Sequence, residues 1–168
     1  MMDFKNIQLL ILDVDGVLTD GKIYLAADGQ EIKVFHTLDG HGIKMLLQAG
    51  IQVAIITGRD APATATRVKQ LGIQHYYAGV ADKIKAFEDL LQKTQIAEKN
   101  CAYMGDDLPD LPVLRRVGLS VAPDNAHDLI KKEVALVTQR KGGEGAVREL
   151  CDRILSVHTL LEDKAFLA

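Results

Sequence analysis

Acidic side chains that directly follow apolar stretches are the residues of this chain best suited to chemistry. Asp13 and Asp15 come after one such stretch, and Asp106 and Asp107 come after another, with Asp110 close behind. In an extended segment, side chains two residues apart lie on the same side, so the carboxylates of Asp13 and Asp15 can face one small volume. Their mutual repulsion calls for a cation, and Mg²⁺, which prefers oxygen ligands, is the natural candidate.

Thr57 and Lys83 add a hydroxyl and an ammonium group, and the complete set matches the needs of phosphoryl transfer. A carboxylate can attack phosphorus, provided that a metal and a fixed ammonium shield the anionic group and a hydroxyl holds a phosphoryl oxygen. A second carboxyl must protonate the departing alkoxide and later take a proton from water. Each residue alone has a simpler explanation as a turn, helix cap or solvated side chain, so only the combination favours this chemistry.

Strand and helix patterns alternate along the chain and would bring these residues to one edge of a sheet. The pattern predicts strands at 9–12, 51–57, 74–77, 101–104, 119–122 and 135–138, helices at 42–50, 63–72, 79–95, 114–117 and 125–133, and a glycine-rich loop with a helix and tail at about 142–168. An Asp28-Gly29 turn between short apolar segments predicts a β-hairpin at about 22–35.

The predicted fold class is therefore α/β. It is a Rossmann-like, doubly wound and mostly parallel sheet, with helices on both faces and a small β-hairpin insertion after the first strand. In such a sheet, ligands bind at the carboxyl edge of the strands, and the candidate residues all fall there.

Composition narrows the class of protein. The length of 168 residues suits one domain with a core that needs no disulfides. A net charge of −3 argues against a general binder of nucleic acids or membrane surfaces. Cys101 and Cys151 have no paired spacing and the five histidines no zinc-ligand spacing, which favours reduced thiols and no zinc. The chain shows neither a long apolar span nor a signal peptide, so we expect a cytoplasmic protein.

Four segments in this order, DVDGVLTDG, ITGR, Lys83 and GDDLPD, resemble the signature motifs of the haloacid dehalogenase superfamily of phosphatases. The resemblance spans residues 11–112 and implies a Mg²⁺-dependent phosphatase without a large cap domain. It implies Asp13 as the nucleophile and Asp15 as the general acid and base. Thr57 and Lys83 would then bind the phosphoryl group. The implied metal ligands and their supporting residues are the side chains of Asp13 and Asp106, the backbone carbonyl of Asp15, and Asp107 and Asp110.

A narrower resemblance, to the family of phosphatases that act on 3-deoxy-D-manno-octulosonate 8-phosphate, covers nearly the whole chain. It depends on the short hairpin and on the segments LTDGKIY, HTLDGHGIK and GGEGAVREL. It implies hydrolysis of that phosphate through an aspartyl-phosphate intermediate, in the synthesis of lipopolysaccharide precursors. It also implies a homotetramer whose hairpins form a small barrel, with active sites near subunit interfaces. The substrate-binding residues that it implies are Asp15, His36, Thr37, Leu38, Asp39, Gly40, Lys44, Thr57, Gly58, Arg59, Arg67 and Lys83.

The charge of such a substrate supports the assignment of the arginines. A sugar acid with a terminal phosphate carries about three negative charges near neutral pH, given a second phosphate pKa near 6. Lys83 alone cannot balance them, and Arg59 and Arg67 are placed to help. Lys44 stands where relatives often carry arginine, and a lysine cannot grip a carboxylate with two parallel hydrogen bonds.

Other interpretations remain open at this stage. A different sugar-acid phosphate, such as a sialic acid 9-phosphate, would need the same chemistry. A phosphorylation-receiver domain uses similar residues but places its phosphorylated aspartate on a later strand than its acidic pair. An inactive scaffold protein would be expected to lack one member of the set. Gly142, Gly143 and Gly145 suit either an anion cradle or a flexible connector, and we expect this loop and the tail to close over the active site, in cis or across subunits.

Overall fold

A sheet of six parallel strands forms the centre of the computed structural model, which describes residues 4–158. The strands, in chain order, are β1 (Leu9–Leu12), β2 (Tyr24–Leu25), β3 (Glu31–Ile32), β4 (Gln52–Ile56), β5 (His75–Tyr77), β6 (Cys101–Met104), β7 (Leu119–Ala122) and β8 (Leu136–Val137). The sheet has the order β5-β4-β1-β6-β7-β8, and β2 pairs with β3 as a separate antiparallel hairpin.

Helices lie on both faces of this sheet. They are α1 (Thr37–Gln48), α2 (Pro62–Leu71), α3 (Lys83–Thr94), α4 (Leu111–Leu114), α5 (Asp128–Glu133) and α6 (Ala146–Val157), with short 3₁₀ turns at Glu98–Asn100 and Leu108–Asp110. Alternate residues of β1 belong to opposite cores: Leu10 packs with α1, α2 and α6, and Ile11 packs with α3, α4 and α5. Because both faces are covered, β1 is apolar at every position, and the predicted fold class is confirmed.

The order of the strands creates a crevice beside β1. The chain first runs outward from β1 to β4 and β5, then returns to β6 on the other side of β1 and continues outward to β8. This reversal leaves a gap at the carboxyl ends of β1, β4 and β6, which is where open α/β sheets bind ligands.

Four predicted helices are wrong in their bounds. Those predicted at 79–95 and 125–133 begin later, at Lys83 and Asp128. The helix predicted at 42–50 begins at Thr37, because the ring of His36 accepts a hydrogen bond from the Leu38 N–H and starts α1 early. The short helix predicted at 114–117 instead covers Leu111–Leu114, directly after the 3₁₀ turn at Leu108–Asp110. Reciprocal side-chain caps from Asp107 and Asp110 fix that earlier start.

The predicted hairpin is present, and it is small. Its ladder pairs only Tyr24 with Ile32 and Leu25 with Glu31, around a turn in which Gly29 has a φ of +83°.

No helix within residues 4–158 combines the length and the apolar character needed to cross a membrane.

Candidate active site

A cavity of about 330 Å³ lies at the carboxyl ends of β1, β4 and β6. Its lining comes from four separate parts of the chain, at 13–21, 57–59, 83 and 106–110. The lining residues are Asp13, Asp15, Gly21, Thr57, Gly58, Arg59, Lys83, Asp106, Asp107, Pro109 and Asp110. The structure therefore brings together the predicted nucleophile, the predicted phosphoryl-binding residues and the predicted metal ligands.

Lys83 joins two of the carboxylates. It is the first residue of α3, where the Asp82 side chain caps the helix, and its side chain is only 7% exposed. Its Nζ lies 3.1 Å from the Asp13 Oδ1 and 2.6 Å from the Asp110 Oδ1. A buried ammonium held by two carboxylates stays charged and fixed, as a phosphoryl-binding cation must.

Both carboxylate oxygens of Asp110 accept hydrogen bonds from protein groups. Its Oδ1 also accepts a hydrogen bond of 2.6 Å from the Tyr103 hydroxyl, and its Oδ2 accepts from the backbone N–H groups of Asp106 and Asp107. The ligand-capable oxygens of Asp13, Asp106 and Asp110 all lie within 4.8 Å of one another, so geometry alone would allow three carboxylate ligands. Because the donors occupy Asp110, we assign it to holding Lys83 and the loop after β6.

Asp13 and Asp106 differ from Asp110, because burial and the surrounding carboxylates disfavour their charged forms. Burial raises the pKa of Asp13 to about 7, with the charge of Asp110 adding to the effect and Lys83 opposing it. Burial, followed by the charge of Asp13, raises the pKa of Asp106 to about 7. Two carboxylates that disfavour their charged forms, one buried and one half-buried, are a donor set that a divalent cation suits, so these residues fit Mg²⁺.

A glycine permits the close approach of the two loops that carry these carboxylates. Gly16 follows Asp15 with a φ of +87°, and a Cβ there would lie 1.9 Å from the Asp106 Oδ2. Any other residue would push Asp106 away from Asp13.

The loop between β4 and α2 supplies both the hydroxyl, from Thr57, and an arginine, Arg59. Thr57 is 2% exposed, and its N–H donates to the Tyr77 carbonyl at 2.9 Å, which ties it to β5. Its Oγ1 accepts a hydrogen bond of 3.4 Å from the Arg59 N–H. The Arg59 side chain is 46% exposed at the mouth of the cavity.

Lys33 and Glu31, from the hairpin, were missed by the sequence analysis. The Lys33 Nζ donates to the Asp15 Oδ1, lies 2.7 Å from the Glu31 Oε1, and belongs to a side chain that is 4% exposed. Arg59 donates to the other Glu31 oxygen and lies 3.9 Å from the Asp15 Oδ2. The alternation of charged and apolar residues in EIKVF was the available signal, since it puts both side chains on one face of β3.

Known proteins resemble this chain over nearly its whole length. A family model described as haloacid dehalogenase-like hydrolase matches residues 77–150. The 3-deoxy-D-manno-octulosonate 8-phosphate phosphatase of Escherichia coli is 52% identical over 159 residues, which are 95% of this chain and 85% of that protein. This chain belongs to the 3-deoxy-D-manno-octulosonate 8-phosphate phosphatase family.

Solved structures of this phosphatase family share the fold. The Yersinia pestis enzyme is 50% identical, with a TM-score of 0.93 over 95% of this chain and 86% of that one. The Moraxella catarrhalis phosphatase, in complex with magnesium, phosphate and a 3-deoxy-D-manno-octulosonate molecule, is 41% identical. Its TM-score is 0.93, over 98% of this chain and 93% of that one.

Most of the sugar-binding residues implied by the phosphatase family resemblance lie away from this cavity. His36 caps α1, and Asp39 is buried where its Oδ1 accepts a hydrogen bond of 2.8 Å from the Arg148 N–H in the first turn of α6. Arg67 lies against Gly40 and over the Phe35 ring, at 5.8 Å from its centroid. The residues absent from the lining of the cavity are His36, Thr37, Leu38, Asp39, Gly40, Lys44 and Arg67. Their role in binding a substrate stays a prediction.

The glycine-rich segment packs directly on the loop after β1. A Cβ at Gly142 would lie 1.8 Å from the Gly16 carbonyl oxygen, and the Gly143 N–H donates to the Val17 carbonyl at 3.0 Å. Asn125 bridges the two loops, since its amide donates to the Gly16 carbonyl and accepts from the Gly142 N–H. The segment therefore braces the loop of Asp13 and Asp15. The predicted closure by the tail concerns residues 159–168, which lie outside the described part of the chain.

Proposed function

We propose that this protein is a Mg²⁺-dependent phosphatase that hydrolyses 3-deoxy-D-manno-octulosonate 8-phosphate to the free sugar acid and phosphate. The observation that carries the proposal is the contact of Asp13 with a buried Lys83, beside the half-buried carboxylate of Asp106, whose pKa is also raised. A nucleophile, a fixed cation and a metal-binding carboxylate thus line one cavity. The family relatives, which carry this activity in their names, support the choice of substrate.

Asp13 acts as the nucleophile in the proposed mechanism. One of its oxygens contacts Lys83, which leaves the other free to attack phosphorus. The new P–O bond to Asp13 forms as the ester P–O bond to the sugar breaks, and the Asp15 carboxyl donates its proton to the departing sugar oxygen. Asp15 then takes a proton from water as that water attacks the aspartyl phosphate, which releases phosphate and restores Asp13.

Lys83 and Thr57 hold the phosphoryl group during both steps. Lys83 supplies a positive charge that is already fixed by two carboxylates, so little reorganisation accompanies the reaction. The side chains of Asp13 and Asp106 and the Asp15 carbonyl would hold Mg²⁺. When bound, the ion neutralises charge on the phosphoryl oxygens and on the two carboxylates.

Among the residues proposed to bind the sugar acid, Arg59 has the strongest support from the structure. Its half-exposed guanidinium stands at the mouth of the cavity, where the part of the substrate beyond the phosphate would lie. A guanidinium can hold a carboxylate with two parallel hydrogen bonds. Lys44 on α1 and Arg67 on α2 remain proposed contacts, which a neighbouring subunit or a rearrangement of these two helices would have to bring to the same ligand.

Phosphate release from a panel of sugar phosphates tests the substrate. We expect the eight-carbon sugar-acid phosphate to be turned over with a kcat/KM at least about 10-fold above that of a nine-carbon sialic acid 9-phosphate, since a pocket contact is commonly worth one order of magnitude. The corresponding neutral sugar phosphate, which lacks the carboxylate, is the matched control. Preferred turnover of the sialic acid phosphate would replace the proposed substrate while leaving the chemistry in place.

The hairpin supports a second proposal, that the protein assembles as a homotetramer. Large apolar side chains on and beside β2 and β3 are exposed, which is uncommon for so short a segment. They are Ile23, Tyr24, Leu25, Ile32 and Val34. Association of hairpins from several copies would cover them and form the small barrel expected from the family resemblance.

The mass in light scattering tests this assembly. Ile32→Asp, which puts a charge at a side chain that is 54% exposed, should reduce the mass from four chains to fewer. Leu129→Asp on α5, where the side chain is 51% exposed, is the matched control and should leave the mass unchanged. An unchanged mass for Ile32→Asp, or equal losses in both variants, would argue against assembly through the hairpin.

A cytoplasmic location is also proposed. Cys101 and Cys151 are both buried and free, and burial raises the pKa of Cys101 to about 12. Buried thiols with raised pKa values are unreactive, which is typical of structural cysteines in a reducing compartment.

A further inference from the structure

Four charged side chains form a closed ring at the mouth of the cavity. Lys33 contacts both Asp15 and Glu31, Glu31 contacts Arg59, and Arg59 completes the ring at 3.9 Å from Asp15. Two members come from the hairpin, one from the loop after β1 and one from the loop after β4. The ring therefore connects the hairpin to the residue proposed as the general acid and base.

The two cations of this ring differ in burial. The Lys33 side chain is 4% exposed, although the neighbouring Ile32 and Val34 are more than half exposed. Burying an ammonium group is unfavourable unless it is paired, and Lys33 is paired on both sides. Arg59, in contrast, is 46% exposed, and its Nε lies 3.9 Å from the Asp15 Oδ2. Lys33 is thus the buried and closer cation beside Asp15, and Arg59 the exposed and more distant one.

We infer that Lys33 is a positioning residue for the Asp15 carboxyl, and that Glu31 in turn holds Lys33. The ammonium binds the Asp15 Oδ1, which restricts the rotation of the carboxyl and leaves the Oδ2 for the proton transfer. Proton transfer to a leaving group requires that oxygen within hydrogen-bond reach of the ester oxygen. This inference rests on the proposed function, because it assigns Lys33 to the proton-transfer step of that reaction.

The effect of Lys33→Met on two aryl phosphates isolates this role. Phenyl phosphate and p-nitrophenyl phosphate have nearly the same shape, but phenolate is the more basic leaving group and gains more from protonation. We expect Lys33→Met to lower kcat/KM for phenyl phosphate at least about 10-fold more than for p-nitrophenyl phosphate, since general acid catalysis contributes ~10²–10⁴-fold. The ratio kcat/KM is used because it reports the step in which the leaving group departs.

Matched variants complete the experiment. Lys22→Met removes the same charge from the same segment, where the Lys22 side chain is 74% exposed, and should change neither rate. Lys33→Arg, which keeps the charge and the donors, should restore most of the phenyl phosphate activity. Glu31→Gln should also lower kcat/KM more for phenyl phosphate than for p-nitrophenyl phosphate, by a smaller factor than Lys33→Met. If Lys33→Met does not fold, the two kcat/KM values of Glu31→Gln test the inference instead.

Equal losses for both aryl phosphates would overturn the inference, because a merely structural role of Lys33 lowers both alike. Unchanged rates in both variants would overturn it as well. Failure of the proposed function gives a different result. The unsubstituted protein would then release no phosphate from either compound, or the Asp13→Asn variant would release it as fast as the unsubstituted protein.

Discussion

Asp13→Asn is expected to remove phosphate release, with kcat reduced by at least about 10⁴-fold, because the amide that replaces the carboxylate cannot attack phosphorus. The fold is expected to remain intact. Asparagine has the same shape, and it replaces a buried carboxylate whose pKa is raised to about 7, so the change removes an unfavourable buried charge at pH 8. Phosphate release and the thermal unfolding midpoint check the two halves of this prediction.

A second measurement on the same variant tests the covalent step. Mass spectrometry of the acid-quenched reaction should find a phosphoryl adduct on the unsubstituted chain and none on Asp13→Asn. Asp124→Asn, which makes the same change at an exposed position, is the matched control and should keep full activity. Turnover retained in Asp13→Asn would refute the assigned nucleophile.

Removal of Mg²⁺ by a chelator is expected to stop phosphate release and to leave a protein whose stability falls as the pH rises. Asp13 and Asp106 carry the effect, because burial and neighbouring carboxylates raise the pKa of each from the ordinary 3.8 to about 7. Between these two values the folded protein binds more protons than the unfolded chain. The free energy of unfolding therefore decreases with pH across this window, and the loss is complete above pH 7.

The size of the effect follows from the shift. Each pKa unit is worth about 1.4 kcal/mol, so the metal-free protein should lose on the order of 2–4 kcal/mol through Asp106 between pH 5 and pH 8. Thermal unfolding at both pH values, with chelator and with Mg²⁺, measures it. Asp106→Asn should weaken the pH dependence, leaving the part carried by Asp13, and abolish the stabilisation by Mg²⁺ at pH 8, whereas Asp124→Asn should do neither. Identical curves for Asp106→Asn and the unsubstituted protein would contradict the assignment.

The sheet and the positions of the acidic residues could be predicted because both depend on local patterns. A strand that is buried on both faces is apolar at every position, as β1 is, and its end is marked by the first polar residue. Asp13 and Asp106 each come directly after such a strand, or one residue later, and parallel strands end at one edge. The meeting of these carboxylates with Thr57 and Lys83 therefore follows from strand order alone.

The bounds of α1 show where local patterns fail. Gly40 and Gly42 argue against a helix at its start, since glycine is a poor helix former. Both are there because neighbours come close: a Cβ at Gly40 would meet the Arg67 guanidinium at 2.2 Å, and one at Gly42 would meet Cys151 on α6 at 3.0 Å. The helix is thus stabilised by its packing against α6, which no local pattern contains.

By itself, the sequence determined the α/β class, the hairpin and the polar residues at the ends of β1, β4 and β6. Only the tertiary structure decided which side chains hold those residues in place. Lys33 reaches Asp15 across 18 positions, and Asp39 meets the N–H of Arg148 across 109. Such contacts depend on how a hairpin lies over the sheet edge and on which helices pack together. The free energy of that packing is spread over many distant residues, so no short stretch of sequence records it.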